Sequence, residues 1–198
     1  MNNKIKIIPI ILSGGSGKRL WPVSTKSLPK QFLNIPFGSK YSLFQKTILR
    51  VNKNYFEKPI IICSDEHKFV IKSQLEEIKI KPESIIVEPS GRNTAPAICC
   101  ACLKVFKKKA NSMLMVFPSD HLIQDENFFF TKTYRLIKQG IINSNTLFGL
   151  TPSEPKTSYG YIEISSNNSG LPRVESFIEK PSLKKAKFMI KLGNFLWN

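Results

Sequence analysis

The chain of 198 residues is long enough for one sizeable domain and short for two. Apolar residues make up 41% of it, enough to bury a core, yet no apolar run approaches the roughly 18 residues of a membrane span. Lys and Arg number 30 against 14 Asp and Glu, and the net charge of +16 favours anionic partners.

The first predicted element is "IKIIPIIL" at 5–12, a short, Ile-rich and near-continuously apolar run that reads as a strand buried on both faces. Lys4 and Lys6 imitate the start of a signal peptide. The apolar stretch is short, however, contains Pro9 and runs straight into "SGGSGKR", so a buried strand and a cytoplasmic protein are expected. In that loop Gly14, Gly15 and Gly17 admit close approach of the backbone to a ligand, and N–H groups beside Lys18 and Arg19 suit phosphate. The common nucleotide templates fail here. A Walker loop would need Gly at Leu12 and Ser or Thr at Arg19, and the dinucleotide fingerprint would need Gly at Leu20. A plain tight turn therefore stands beside phosphate binding as a reading of the loop alone.

"SLPKQF" comes next, where Pro29 fixes the backbone before Lys30, a cation that can reach a phosphate or simply be solvated. Apolar residues at 43, 44, 48, 49 and 51 mark a helix over 42–51. Further strands are predicted at 59–63, 84–88, 113–117 and 146–150, and helices at 65–79 and 125–142. Another helix starts at Asn93 or Thr94 as the cap, with Pro96 in its first turn. Alternating strands and helices define an α/β domain with a mainly parallel central sheet. Beyond about 150, "YGYIEI" and "RVESFIEK" alternate as strands around the polar "SSNNSG", and a helix runs from Ser182 toward Gly193. This is a small β-rich lobe.

Cys99 and Cys102 in "CCAC" have a metal or redox spacing, but no second pair accompanies them, and His67 and His121 lie in other segments. These cysteines are expected in the core as small hydrophobes. The lysines are spread along the chain, with a single run at 107–109 near a helix end, and no nucleic-acid motif accompanies them. Neither nucleic acid nor membrane is expected as a partner.

Ligands of such a sheet bind outside the carboxyl ends of the strands. "SGGSGKR", "EPSGRNTAPA", "PSDH" and "EKP" each follow a predicted strand and fit one cleft. Asp120 at a strand end is placed to hold Mg²⁺ beside phosphates, or to form a turn. Gly91, Arg92 and Asn93 at a helix start suit a base edge or an anion, and equally a capped helix without ligand. Glu179 and Lys180 suit sugar hydroxyls and a phosphate, and equally an ordinary surface.

In this order, "LSGGSGKRLWP", "PKQF", "EPSGRNTAPAI", "FPSDH", "YGYI", "FIEKP" and "FLWN" resemble the nucleotidyltransferase domain of bacterial mannose-1-phosphate guanylyltransferases, over about 9–198. "SGRNTAPAI" and "LWN" point to the branch that uses mannose and guanine. The resemblance implies a Rossmann-like nucleotidyltransferase domain, C-terminally truncated, with its nucleotide-binding part over about 1–150 and the start of a sugar-binding lobe over about 151–198. It implies formation of GDP-mannose and pyrophosphate from GTP and mannose 1-phosphate with Mg²⁺ as cofactor. By the family's pattern the backbone of Ser13, Gly14, Gly15, Ser16 and Gly17, with Arg19, holds the triphosphate. Lys30 neutralises charge near the reacting centre, Asp120 ligates Mg²⁺, and Gly91, Arg92, Asn93 and Thr94 line the guanine site. Gly160, Glu179 and Asn198 face the mannose, and Lys180 meets its phosphate; Arg19, Lys30 and Lys180 are the catalytic cations.

The chain departs from the pattern at Lys18, where the family has Thr, at Thr25, where it has Arg, and at Ser158, where it has Gly. In the family the "LWN" strand leads into further sheet and a second metal-binding carboxylate. The chain therefore resembles the N-terminal part of a longer enzyme, expected on its own to bind GTP weakly and turn over little. A further C-terminal part or a second copy of the chain is the protein partner implied. Two other readings stand beside this one: a transferase for another sugar 1-phosphate or nucleotide, and a non-catalytic GTP-binding remnant.

Overall fold

The computed structural model describes residues 7–15, 21–108, 112–138, 145–165 and 171–198, which fall into two compact units, Met1–Lys138 and Gln139–Asn198. In the first unit four strands, β1 (Ile7–Leu12), β2 (Ile60–Ser64), β3 (Ser84–Glu88) and β4 (Met113–Pro118), form an all-parallel sheet in the order β3-β2-β1-β4. Helices α1 (Leu43–Val51), α2 (Lys68–Glu77), α3 (Thr94–Phe106) and α4 (Glu126–Lys138) alternate with them. The α/β class with a parallel centre is as expected.

Both faces of the sheet are covered, which is why β1 and β2 are apolar at successive positions rather than at alternate ones. Side chains of a strand point alternately to its two faces. Ile7 and Ile11 join Ile61, Cys63, Met115 and Phe117 against Phe44, Ile48 and Val51 of α1 and Ile71 and Leu75 of α2. Ile8 and Ile10 join Ile60 and Ile62 against Ala97, Ala101 and Val105 of α3. Helix α1 begins at Ser42 with a complete capping box: the Ser42 hydroxyl accepts from the Gln45 N–H, and the Gln45 side chain accepts from the Ser42 N–H.

The second unit holds an antiparallel sheet in the order β6-β5-β7, made of β5 (Gly160–Ile164), β6 (Val174–Glu179) and β7 (Phe195–Trp197). Helix α5 (Leu183–Leu192) starts at Ser182, whose hydroxyl accepts from the Lys185 N–H, and stops at Gly193 with φ of 78°, a left-handed cap that glycine takes without strain. Tyr161, Ala186, Met189 and Phe195 form its core.

Two expectations need correction, and a third, the cap of α3, is met in position but not in its hydrogen bond. The stretch 146–150 is not a strand: only Leu150 pairs, exchanging both backbone hydrogen bonds with Trp197, and Leu147, Phe148 and Leu150 are exposed. The cysteines of "CCAC" do not pack in the core. The buried stripe of α3 is Ala97, Ala101 and Val105, four residues apart, which turns Cys99, Cys100 and Cys102 outward. Asn93 occupies the N-cap position of α3 with φ of 65°, but its side chain makes no capping hydrogen bond. The "SSNNSG" loop at 165–170 lies almost wholly outside the described residues.

Candidate active site

The order of the parallel sheet defines where a ligand binds. From β1 the chain winds outward through β2 to β3, then crosses back to place β4 on the other side of β1. The carboxyl ends of β1 and β4 therefore flank the point where the strand order reverses, which is where ligands of an open α/β sheet bind. Ser13, Gly14 and Gly15 leave β1 there, and Ser119 and Asp120 leave β4 beside them, with the Ser119 N–H donating to the Leu12 carbonyl at 3.0 Å.

Lys30 is brought to the same place by a one-turn 3-10 helix, Lys30–Phe32, that follows Pro29. Its Nζ lies 3.5 Å from Asp120 Oδ2 and donates to the Asp120 carbonyl at 3.4 Å. Both side chains remain part-exposed, at 38% and 43%, so the pair faces solvent and is open to a ligand. Lys30 and Asp120, ninety residues apart in the chain, thus meet at the strand ends.

The glycine loop is held from behind by Gln31, which stands in "PKQF" without a role of its own there. Gln31 is buried, and its Nε2 donates to the Gly15 carbonyl at 2.8 Å and to the Ser13 carbonyl at 3.4 Å. A planar trans peptide carries its C=O and N–H on opposite sides. Holding the Ser13 carbonyl toward Gln31 therefore leaves the Gly14 N–H of the same peptide turned away from it. Among the described residues nothing lies within 4 Å of the place a Cβ would take at Gly15. Ser13 is fully buried, and its hydroxyl has no hydrogen-bond partner among the described residues. Ser16, Gly17 and Arg19, together with Lys18, lie outside the described residues.

The loop carrying Lys30 is braced by further buried polar groups. His67 sits between the Ser64 hydroxyl, 2.9 Å from Nδ1, and the Lys26 carbonyl, 3.2 Å from Nε2. A carbonyl only accepts, so Nε2 carries the proton and Nδ1 accepts from Ser64. Gln74 donates to the Phe32 carbonyl at 3.0 Å and accepts from the Ser42 hydroxyl at 2.7 Å.

Gly91, Arg92, Asn93 and Thr94 lie exposed in and after the turn from β3 to α3. Glu88, the last residue of β3 and the first of "EPSGRNTAPA", reaches the glycine loop: its Oε2 is 3.3 Å from where a Cβ of residue 14 would stand. This second carboxylate at the strand ends escapes a reading of the sequence, because a Glu before a Pro carries no signal of its own.

In the second unit the residues assigned to the sugar gather at one end of the antiparallel sheet. Gly160 of β5 pairs with Glu179 of β6, and the Asn198 N–H donates to the Gly160 carbonyl at 2.9 Å. Lys180 pairs with the Glu179 carboxylate and donates its backbone N–H to the Tyr159 carbonyl. A side chain cannot enter at Gly160 without displacing its neighbours: a Cβ there would come 2.5 Å from Phe177 Cζ and 3.2 Å from Glu179 Oε2.

Among the described residues no three or more His, Cys, Asp or Glu gather to hold a metal ion by themselves. Asp120 offers one hard carboxylate beside a cation. That donor set fits Mg²⁺, which takes one or two carboxylates and fills its shell with phosphate oxygens and water.

A parallel sheet whose strand order reverses beside β1, with a glycine loop and an acidic residue at the strand ends, defines an open-sheet α/β protein. The profile of the family described as Nucleotidyl transferase matches residues 8–198, and the chain belongs to this family. It is 42% identical over 195 residues to the xanthan biosynthesis protein XanB of Xanthomonas campestris, a match covering 97% of this chain and 40% of that protein. To the mannose-1-phosphate guanylyltransferase of Salmonella montevideo it is 41% identical over 199 residues, covering 97% and 41% respectively. A Thermus thermophilus crystal structure named as a mannose-1-phosphate geranyltransferase superposes with a TM-score of 0.83 at 28% identity, covering 98% of this chain and 56% of that one. The chain spans about 40% of the length of the curated relatives it matches. Among the described residues no helix is long and apolar enough to cross a membrane.

Proposed function

We propose that the chain carries the GTP-binding part and the beginning of the sugar-phosphate site of a mannose-1-phosphate guanylyltransferase. The observation that carries this reading is the meeting of Lys30 with Asp120 at the switch point of the sheet, beside the start of the glycine loop at Gly14 and Gly15. The 41% identity to a relative of that name supports the choice of substrates.

In the reaction a phosphate oxygen of mannose 1-phosphate attacks the α-phosphorus of GTP. The bond from that phosphorus to its bridging oxygen breaks, and pyrophosphate leaves with the electron pair. Little covalent work falls to the protein in such a transfer; orientation and charge stabilisation dominate. The N–H groups of the glycine loop, with Arg19, hold the triphosphate, and Lys30 draws charge from the phosphate under attack. Asp120 is the residue that would hold Mg²⁺, which when bound screens the phosphate charges and stabilises the leaving oxygens. Gly91, Arg92, Asn93 and Thr94 line the guanine. Glu88 accepts from its N1–H and exocyclic amino group, a pair of adjacent donors that adenine and uracil do not present. Gly160, Glu179 and Asn198 receive the mannose, and Lys180 its phosphate. A cytoplasmic location follows from the need for GTP.

The test is pyrophosphate release by the 198-residue chain with Mg²⁺, supplying GTP, ATP or UTP with mannose 1-phosphate or glucose 1-phosphate. Turnover is expected to be slow and greatest with GTP and mannose 1-phosphate together. A clear preference for another pair overturns the substrate assignment.

A further inference from the structure

Arg50 is one of the largest fully buried side chains in the protein, with 1% of its side chain exposed, although it carries a permanent charge. It projects from the last turn of α1 and directs two of its donors at the segment after β4. Nε donates to Glu126 Oε1 at 3.0 Å, and Nη2 donates to the His121 carbonyl at 3.4 Å. Nη1 donates to Thr47 on its own helix at 3.4 Å, and Thr47 is itself fixed by donating to the Leu43 carbonyl. Glu126 is the first residue of α4, so the guanidinium grips both the turn after β4 and the helix that follows it. Asp125, at the same helix start, accepts from the Phe128 N–H at 2.8 Å.

Asp120 lies between two anchored neighbours. On its N-terminal side Ser119 is buried and bound to the Leu12 carbonyl of β1; on its C-terminal side the carbonyl of His121 is bound to Arg50. Lys30 approaches Asp120 from a third direction. Ser119 holds the entry of the turn and Lys30 the Asp120 carbonyl, while the segment from His121 to the start of α4 is held by Arg50.

We propose that Arg50 is a positioning residue for Asp120: its buried guanidinium ties the His121 carbonyl and the Glu126 carboxylate to α1, and so fixes the turn from which Asp120 meets a metal-bound triphosphate. The proposal rests on the reading of Asp120 as the carboxylate for Mg²⁺. Residues that orient a metal-ligating group from behind typically change metal affinity by about 10–100-fold when replaced. A lysine keeps the charge but has no planar fork with which to hold two acceptors in different directions.

Binding of a fluorescent GTP analogue to the intact chain, titrated with Mg²⁺, reads this directly. R50K is expected to raise the Mg²⁺ concentration at half-saturation about tenfold, while binding measured without Mg²⁺ stays as in the parent. E126Q, which keeps an acceptor but loses the charge at the part-exposed partner, is expected to move it in the same direction by less. In a D120N background R50K should cause no further change. A lowered melting temperature with an unmoved Mg²⁺ midpoint in R50K would make Arg50 a purely structural residue and overturn the proposal. Should R50K not fold, an unmoved midpoint in E126Q overturns it equally. If D120N itself keeps the parent's Mg²⁺ dependence, the reading of Asp120 fails first and takes the proposal with it.

Discussion

The two units hold their proposed functional groups by different means. At the carboxyl end of the parallel sheet, Lys30, Asp120 and the glycine loop come from three connections and are fixed by side chains: Gln31 on the loop carbonyls, Lys30 on Asp120, and Arg50 on the next carbonyl. At the end of the antiparallel sheet, Gly160, Glu179 and Asn198 are fixed by the backbone ladder itself. A site built on side-chain bonds is sensitive to removal of single polar groups. One built on strand pairing tolerates those losses better and is sensitive to added volume. Nucleotide-side substitutions should therefore act through chemistry, and sugar-side ones through shape.

The largest effect that sharpens this contrast is expected at Lys30. Lys30→Ala removes a cation from a charge-stabilising site, and turnover should fall on the order of 10²-fold or more while the fold is kept. Pyrophosphate release measured beside circular dichroism checks it. Arg19→Ala should behave alike, and unchanged kcat/KM in both variants would remove the phosphate assignment.

Glu88→Gln is the next in size and bears on the base. GTP should lose about tenfold in affinity, in line with roughly 1.5–3 kcal/mol for a hydrogen bond to a charged group. ITP, which lacks the exocyclic amino group, should lose less. Equal losses for the two nucleotides, read by competition binding, would place Glu88 away from that amino group.

Gly160→Ala tests the other half of the contrast. The new methyl meets the Phe177 ring and the Glu179 carboxylate, but Phe177 is 47% exposed and can swing aside. The stability loss should therefore stay near the low end of overpacking costs, about 1 kcal/mol. The KM for mannose 1-phosphate should rise severalfold with GTP affinity unchanged. Loss of GTP affinity to the same degree would contradict independent construction of the two sites.

The smallest effect concerns the thiols. Burial pushes the Cys63 thiol up to about 11, with Glu88 and Asp65 adding to the rise, so it is protonated and unreactive near neutral pH. Cys99, Cys100 and Cys102 are exposed on α3. Thiol titration of the native chain should give three fast groups, and the fourth only after unfolding.

Much of this arrangement is legible in the sequence because the strands of a two-sided sheet must be apolar throughout. "IIPIIL" and "PIIIC" could hardly be anything else. "TLFGL" carries the same local signal and is not a strand, since strand formation needs a partner along its length and only Leu150 finds one. The cysteines of α3 misled for a related reason. Hydrophobicity says that a residue can be buried, while helix phase decides whether it is, and Ala97, Ala101 and Val105 set that phase. Gln31 and Glu88 stand in "PKQF" and "EPSGRNTAPA" and Arg50 in a predicted helix, yet what they do is not legible there, because each acts on a backbone or side chain distant in the sequence.

The central claim, a metal-assisted guanine nucleotide site at the switch point, is tested most directly by equilibrium binding of GTP, ATP and UTP to the chain with and without Mg²⁺, in the parent and in Asp120→Asn. The expected result is weak binding of GTP in preference to the other two, strengthened by Mg²⁺, with that strengthening lost in Asp120→Asn while its melting temperature stays close to the parent's. Binding that ignores both the base and the metal, or an Asp120→Asn variant with the parent's Mg²⁺ response, would contradict it.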